Sequence, residues 1–177
     1  MKVVEYEHAR NYIENGDLIF FKNGGSIWSR MTQALTKSPI YHCGIAFWMR
    51  DPLYQCRLFV VEASQGGRRI VSLSSYDKHE MDVIASPVDW IKHCDPVLDL
   101  TGRVPYSKLE FIAIGLLEAF GIRRRKDDVG EVCSKMIAEY CKSAGIELPT
   151  TDISPAKLKT TLLELGFEQR CTVNPRA

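Results

Sequence analysis

The chain has 177 residues, 45% of them hydrophobic and 25% charged, with a formal net charge of +1. This length suits one domain with a buried core, and the near-neutral charge argues against nucleic acid or an anionic membrane as the main partner. No apolar run approaches the roughly 20 residues of a membrane span, and residues 1–15 do not resemble a secretory signal peptide. We therefore expect a single cytoplasmic domain spanning residues 1–177, unless export uses another route.

Predicted strands dominate the first half of the chain, and predicted helices dominate the second. Short apolar stretches between turn signals predict strands within 16–21 and at 41–48, 57–63, 69–73 and 81–85, with a last strand within 167–173. Helical spacing of apolar residues predicts helices after Ser26, over 105–120 and 131–144, and from Ser154-Pro155. The pattern indicates an α+β fold in which an antiparallel meander of strands packs against helices.

The six cysteines are scattered and contain no Cys-x-x-Cys pair; they are Cys43, Cys56, Cys94, Cys133, Cys141 and Cys171. Without a signal peptide, free thiols are favoured over disulfides, and one thiol is a candidate nucleophile. A zinc site needs paired Cys and His spacing, which this sequence lacks. We predict no metal and no cofactor.

The strand at 41–48 places a histidine next to a cysteine. Because side chains alternate along a strand, His42 shares a face with Gly44, Ala46 and Trp48, whereas Cys43 shares the opposite, bulkier face with Ile45 and Phe47. The alternation makes Cys43 a core residue. It leaves His42 beside small neighbours. There His42 is either a catalytic base or a structural histidine at the edge of the core whose ring nitrogens have hydrogen-bond partners within the protein.

Glu62 is the natural partner of His42. The strands at 41–48 and 56–63 are joined by a short turn, and pairing Ala46 with Leu58 would set His42 directly opposite Glu62 on the same face. A carboxylate in an apolar strand needs a partner when it is buried. An imidazole N–H meets that need and fixes the tautomer that accepts a proton from a thiol, although a purely structural pair would satisfy the same requirement.

Cys133 is the candidate nucleophile, since it falls in the first turn of the helix predicted at 131–144. Free N–H groups and the dipole at a helix start stabilise a thiolate and can hold an oxyanion. The alternative is an inert cysteine on the buried face of the helix. A nucleophile, a base and an orienting carboxylate on separate elements favour the catalytic interpretation.

The order of several short motifs supports a family resemblance. These motifs are Gly-Asp followed by three apolar residues at 16–20, Tyr-His-x-Gly-Ile at 41–45, Val-Glu-Ala at 61–63 and Val-Cys-Ser at 132–134. In this order the chain resembles the circularly permuted branch of the NlpC-type papain-like cysteine hydrolases. This branch includes the YiiX/YaeF-like bacterial proteins and, more distantly, the lecithin–retinol acyltransferase-like enzymes. A Val-Pro-Tyr turn at 104–106 fits the same family.

The resemblance implies a papain-like fold in which Cys133 is the nucleophile, His42 the base and Glu62 the third polar residue. It implies hydrolysis of an amide or peptide bond, for example in a cell-wall-derived peptide, through an acyl-thioester. Tyr41 or the backbone N–H of Cys133 would hold the oxyanion, and Tyr41 and Trp28 are candidates for substrate contact. Two alternatives stay open: a lipid acyltransferase or lipid hydrolase, and a papain-like fold that binds without catalysis.

Overall fold

The computed structural model describes residues 2–50, 53–64, 67–86, 88–99, 133–148 and 153–175. The strands are β1 (Val3–Glu5), β2 (Leu18–Lys22), β3 (Ile40–Arg50), β4 (Cys56–Ser64), β5 (Gly67–Ser72), β6 (Glu80–Ile84) and β7 (Gln169–Asn174). The α-helices are α1 (Tyr6–Ala9), α2 (Ile27–Thr36), α3 (Trp90–His93), α4 (Asp95–Leu98), α5 (Cys133–Ser143) and α6 (Pro155–Glu164). Short 3₁₀ turns lie at Arg10–Tyr12 and Leu73–Tyr76. The helix predicted at 105–120 and the turn at 104–106 lie outside the described residues.

All seven strands form one sheet in the order β1-β7-β6-β2-β3-β4-β5. The α+β class is confirmed, but the expectation of a simple meander is wrong beyond β5. Strand β6 returns to pair with β2 rather than with β5, which places β2 inside the sheet and leaves β5 at the edge. The edge strand β1 pairs with β7 in parallel, and all other strand pairings in the sheet are antiparallel.

The sheet carries an apolar layer on each face, as strand alternation requires. In β2, Leu18 and Phe20 belong to the larger core, which also contains most of the buried residues of α5 and α6. Ile19 and Phe21 belong to the second core, on the opposite face, together with buried residues of α1 and the segment that follows it. Helix α5 packs across β3 and β4 on the larger-core face.

Two helices begin at the capping residues predicted from the sequence. The Ser26 side chain caps α2 by accepting from the Ser29 N–H. Ser154 caps α6 in the same way, and Pro155 occupies its first turn. Lys159 of α6 donates to the buried carboxylate of Asp82 on β6 at 2.5 Å, which anchors that helix to the sheet. Within the described segments, no helix has the length and apolar character required to cross a bilayer.

Candidate active site

His42 and Glu62 form a direct pair. The Nε2 atom of His42 lies 2.8 Å from Oε2 of Glu62, whose side chain is fully buried. His42 sits on the second-core face beside Phe21, with the two rings stacked at a centroid distance of 5.5 Å. Because Nε2 is engaged by the carboxylate, Nδ1 is the ring nitrogen left for a thiol.

The strand register that produces this pair differs from the predicted one. Ala46 pairs with Val60, not with Leu58, and Trp48 pairs with Leu58. The register is displaced by two residues, so Glu62 is a diagonal neighbour of His42 rather than the residue directly opposite. A displacement of two keeps both side chains on the same face, and a diagonal neighbour remains within reach of a long side chain.

The backbone next to His42 has two special features. The register between β2 and β3 shifts so that Phe21 pairs with His42 but Lys22 pairs with Ile40, which leaves Tyr41 as an additional residue in a β-bulge. Bulges of this kind re-aim neighbouring side chains. Gly44 lies close to β4, because a Cβ atom there would stand 2.5 Å from Val60 Cγ2 and 2.8 Å from the carbonyl oxygen of residue 61.

Three side chains hold the Glu62 carboxylate. In addition to His42, Arg69 donates to Oε1 through Nε at 2.8 Å, and the Tyr76 hydroxyl lies 2.8 and 2.7 Å from the two carboxylate oxygens. Burial alone would raise the pKa of Glu62. The charge of His42 and the hydrogen bonds outweigh burial and lower this pKa from 4.5 to about 2.

Cys133 and Cys43 are in contact beneath this pair. Both are buried in the larger core, and the Cys43 thiol donates a hydrogen bond to the Cys133 sulfur. The backbone N–H of Cys43 also donates to Cys133, and the His42 side chain makes a further hydrogen bond with it. The Cys133 sulfur therefore contacts two consecutive residues of β3 whose side chains point to opposite faces. The prediction that Cys43 lies in the core is confirmed, but its contact with Cys133 was not expected.

The charges at the site favour a thiolate–imidazolium pair. The hydrogen bond from Cys43 is the strongest influence on Cys133, and with the charge of His42 it holds the Cys133 pKa well below 9.0 despite burial. Burial alone would lower the pKa of His42, but the negative charges of Cys133 and Glu62 raise it to about 10. Both shifts therefore favour a proton on His42 and a negative charge on Cys133.

The other candidate residues lie in different surroundings. The Tyr41 hydroxyl is engaged, since it shares a hydrogen bond of 3.0 Å with Nδ1 of His79. Trp28 belongs to α2, and its side chain lies outside the described part of the structure. The sequence also offers the Arg68-Arg69 pair as a guess for the substrate pocket, but Arg68 is buried and donates to the carbonyl oxygen of Val97 at 3.0 Å, which is a structural role. Of the two candidates for substrate contact, the structure therefore gives Tyr41 a partner within the protein.

Sequence reasoning missed Tyr76, and it did not identify Arg69 as a partner of Glu62. Arg69 is the direct cross-strand partner of Glu62, so a correct pairing of β4 with β5 would have identified it. Tyr76 lies in a 3₁₀ turn, for which the sequence has no comparable periodic signal. No group of three or more His, Cys, Asp or Glu side chains suited to a metal ion occurs in the part of the chain that the structure describes.

Comparisons with known proteins give little further information. No family model matches the chain, and no curated protein is significantly similar to it. Among solved structures, the metalloprotein yiiX from Escherichia coli O157:H7 is similar at 18% sequence identity, with a TM-score of 0.42. The alignment covers 92% of this chain and 88% of that chain. A superposition this distant transfers neither a ligand nor an activity to this chain.

Proposed function

We propose that this protein is a cysteine hydrolase that cleaves an amide bond, with Cys133 as nucleophile, His42 as acid and base, and Glu62 as the residue that orients His42. The observation that carries the proposal is the position of His42, which hydrogen-bonds the Cys133 sulfur and the Glu62 carboxylate together. This arrangement provides a preformed nucleophile and a proton donor beside it.

The acylation step uses the charges already present in the resting site. The Cys133 thiolate attacks the substrate carbonyl carbon, and the carbonyl oxygen becomes an oxyanion. Collapse of this intermediate breaks the carbon–nitrogen bond, and His42 gives its proton to the leaving amine. The products are a free amine and a thioester on Cys133, with His42 now neutral.

The deacylation step reverses the role of His42. Neutral His42 takes a proton from water, and the hydroxide attacks the thioester carbonyl. Collapse of the second tetrahedral intermediate releases the carboxylic acid and restores the Cys133 thiolate and protonated His42. Glu62 stays ionised throughout, because its low pKa keeps the negative charge beside the imidazolium.

We further propose that the chain belongs to the circularly permuted papain-like hydrolases. The support for this assignment is the order in which the candidate site residues occur, with the base on β3 and the nucleophile on the later helix α5. Membership of that group makes a peptide, such as one derived from a cell wall, the substrate class that we propose.

The test is covalent trapping of the acyl-enzyme. The purified protein is incubated with a panel of peptide amides and, separately, with lipid esters, and the intact mass is followed after acid quenching. We expect an acyl adduct on Cys133 from a peptide amide, which hydroxylamine removes, and no adduct in Cys133→Ala. Cys141→Ala is the matched control, because Cys141 is a buried cysteine on the same helix with no role in the proposed mechanism.

Each possible result decides between the open alternatives. Turnover of an amide by Cys133→Ala at the wild-type rate would refute the assignment of the nucleophile. An adduct that forms only from lipid esters would replace the peptidase with the lipid enzyme. If Cys133 fails to react with iodoacetamide near neutral pH, the protein has a papain-like arrangement without a competent thiolate, and the binding-module alternative is supported.

A further inference from the structure

We propose that Cys43 and Cys133 form a reversible disulfide when peroxide oxidises the site, with Cys43 as the resolving thiol. This modification goes beyond the proposed hydrolase, and it requires no substrate for its detection.

The contact between the two sulfur atoms carries the inference. Cys43 lies on β3 and Cys133 on α5, and they meet through a hydrogen bond between their side chains inside the larger core. Cys141 is equally buried on the same helix, but its pKa responds to burial alone, which raises it to about 12. Cys133 therefore differs from its neighbour in having both a second sulfur and a histidine beside it.

The geometry identifies which sulfur reacts first. His42 hydrogen-bonds Cys133, and the backbone N–H of Cys43 also donates to the Cys133 sulfur. Both contacts favour negative charge on Cys133. Burial and the neighbouring negative charges favour the protonated form of Cys43. Oxidants react with thiolates rather than with thiols, so Cys133 is attacked first and Cys43 second.

The reaction then takes place in two balanced steps. The Cys133 thiolate attacks one oxygen of hydrogen peroxide, forming a sulfenic acid and releasing hydroxide, which becomes water on protonation. The Cys43 sulfur attacks the sulfenic sulfur, the carbon-bound sulfurs join, and the hydroxyl group leaves as water with the Cys43 proton. In total, two thiols are oxidised and one peroxide is reduced to two molecules of water.

Closure of the disulfide requires a small local movement. The sulfur atoms must approach from hydrogen-bonding distance to the about 2.05 Å of a disulfide bond. Because the two residues belong to packed elements, this movement displaces α5 relative to β3 or changes a side-chain rotamer. The bond occupies the proposed nucleophile and protects it from irreversible oxidation to sulfinic acid.

The experiment is peptide mapping of the full chain after treatment with hydrogen peroxide. Remaining thiols are blocked under denaturing conditions, and the digest is analysed with and without reduction. In the wild type we expect one linked pair of peptides containing Cys43 and Cys133, lighter by two hydrogen atoms and separated by dithiothreitol. In Cys43→Ala we expect Cys133 to gain one or two oxygen atoms instead, without any cross-link.

Two controls make the outcome decisive. Cys141→Ala should form the same cross-link as the wild type, and the yield should not depend on protein concentration, since the bond lies within one chain. Circular dichroism establishes that each variant is folded. The wild-type digest decides the question without any variant: a Cys133 that carries added oxygen but no link to Cys43 overturns the inference.

The outcome also separates this inference from the proposed function. If Cys133 forms an acyl adduct but no disulfide, the hydrolase stands and Cys43 has no resolving role. If Cys133 resists both peroxide and alkylation, it carries no reactive and accessible thiolate, and both proposals fail together.

Discussion

Replacing Glu62 with glutamine tests the electrostatics of the site most directly. This substitution keeps the shape of the side chain but removes the charge that His42, Arg69 and Tyr76 contact. At about 1.36 kcal/mol per pH unit, a pKa that falls from 4.5 to about 2 corresponds to about 3 kcal/mol of stabilisation of the native state at neutral pH. We expect Glu62→Gln to lower the free energy of unfolding at pH 7 by about this amount, as measured by urea denaturation.

The pH dependence gives this prediction its sign. The pKa of Glu62 is lower in the folded state than in the unfolded state, so the stabilisation is complete above the unfolded value near 4.5. It is lost as the pH falls towards 2. Between pH 7 and pH 3, the wild type should therefore lose about 2 kcal/mol more stability than Glu62→Gln. Carboxylates that the two proteins share contribute equally and cancel in this difference.

The matched control is Glu164→Gln, because Glu164 is an exposed glutamate at the end of α6. Its unfolding free energy should differ from that of the wild type by no more than about 0.5 kcal/mol at either pH. If the wild type and Glu62→Gln lose equal stability between pH 7 and pH 3, Glu62 does not carry a lowered pKa. The description of Glu62 as a permanent counter-charge for His42 would then be wrong.

Three further predictions concern neighbouring residues. The rate of Cys133 alkylation by iodoacetamide should reach its plateau well below pH 9.0 in the wild type. In His42→Ala the pH profile should move towards that value, because the charge of His42 helps to lower the Cys133 pKa. Identical profiles in the two proteins would exclude this role. Tyr76→Phe should raise the pKa of Glu62 and lower the free energy of unfolding by about 2 kcal/mol, because a hydrogen bond to a buried charged group is lost. An unchanged stability in urea denaturation would contradict this contact. Gly44→Ala should lower the free energy of unfolding by about 1 to 3 kcal/mol, because the added methyl group overpacks against β4. An unchanged free energy in the same assay would show that β4 moves aside easily.

The predicted pairing of His42 with Glu62 is confirmed, although the register on which it was based is wrong. Period-two alternation determines the face of each side chain, and a displacement by two residues leaves that face unchanged. The exact register between β3 and β4 depends on the type and length of the turn that joins them, which the sequence does not define to the residue. The face could therefore be predicted from the sequence, but the opposing residue could not.

The remaining errors have the same physical origin. Helical periodicity and capping residues identified α2, α5 and α6, because those signals are local. The return of β6 to β2 and the contact between Cys43 and Cys133 depend on packing between distant parts of the chain. Alternation correctly assigned Cys43 to the core. It carried no information about which residue of α5 the core would bring against it.

The two halves of the candidate site differ in how far apart their residues lie along the chain. Glu62 is 20 positions from His42, 14 from Tyr76 and 7 from Arg69, whereas Cys133 belongs to a much later helix. Contacts over short separations close at a lower entropic cost, so we expect His42 and Glu62 to meet earlier during folding than Cys133 joins them. Pulsed alkylation during refolding would detect this order as a late change in the reactivity of Cys133. A partly folded molecule would then carry an ordinary, largely protonated thiol and would remain inert until its last long-range contacts have formed.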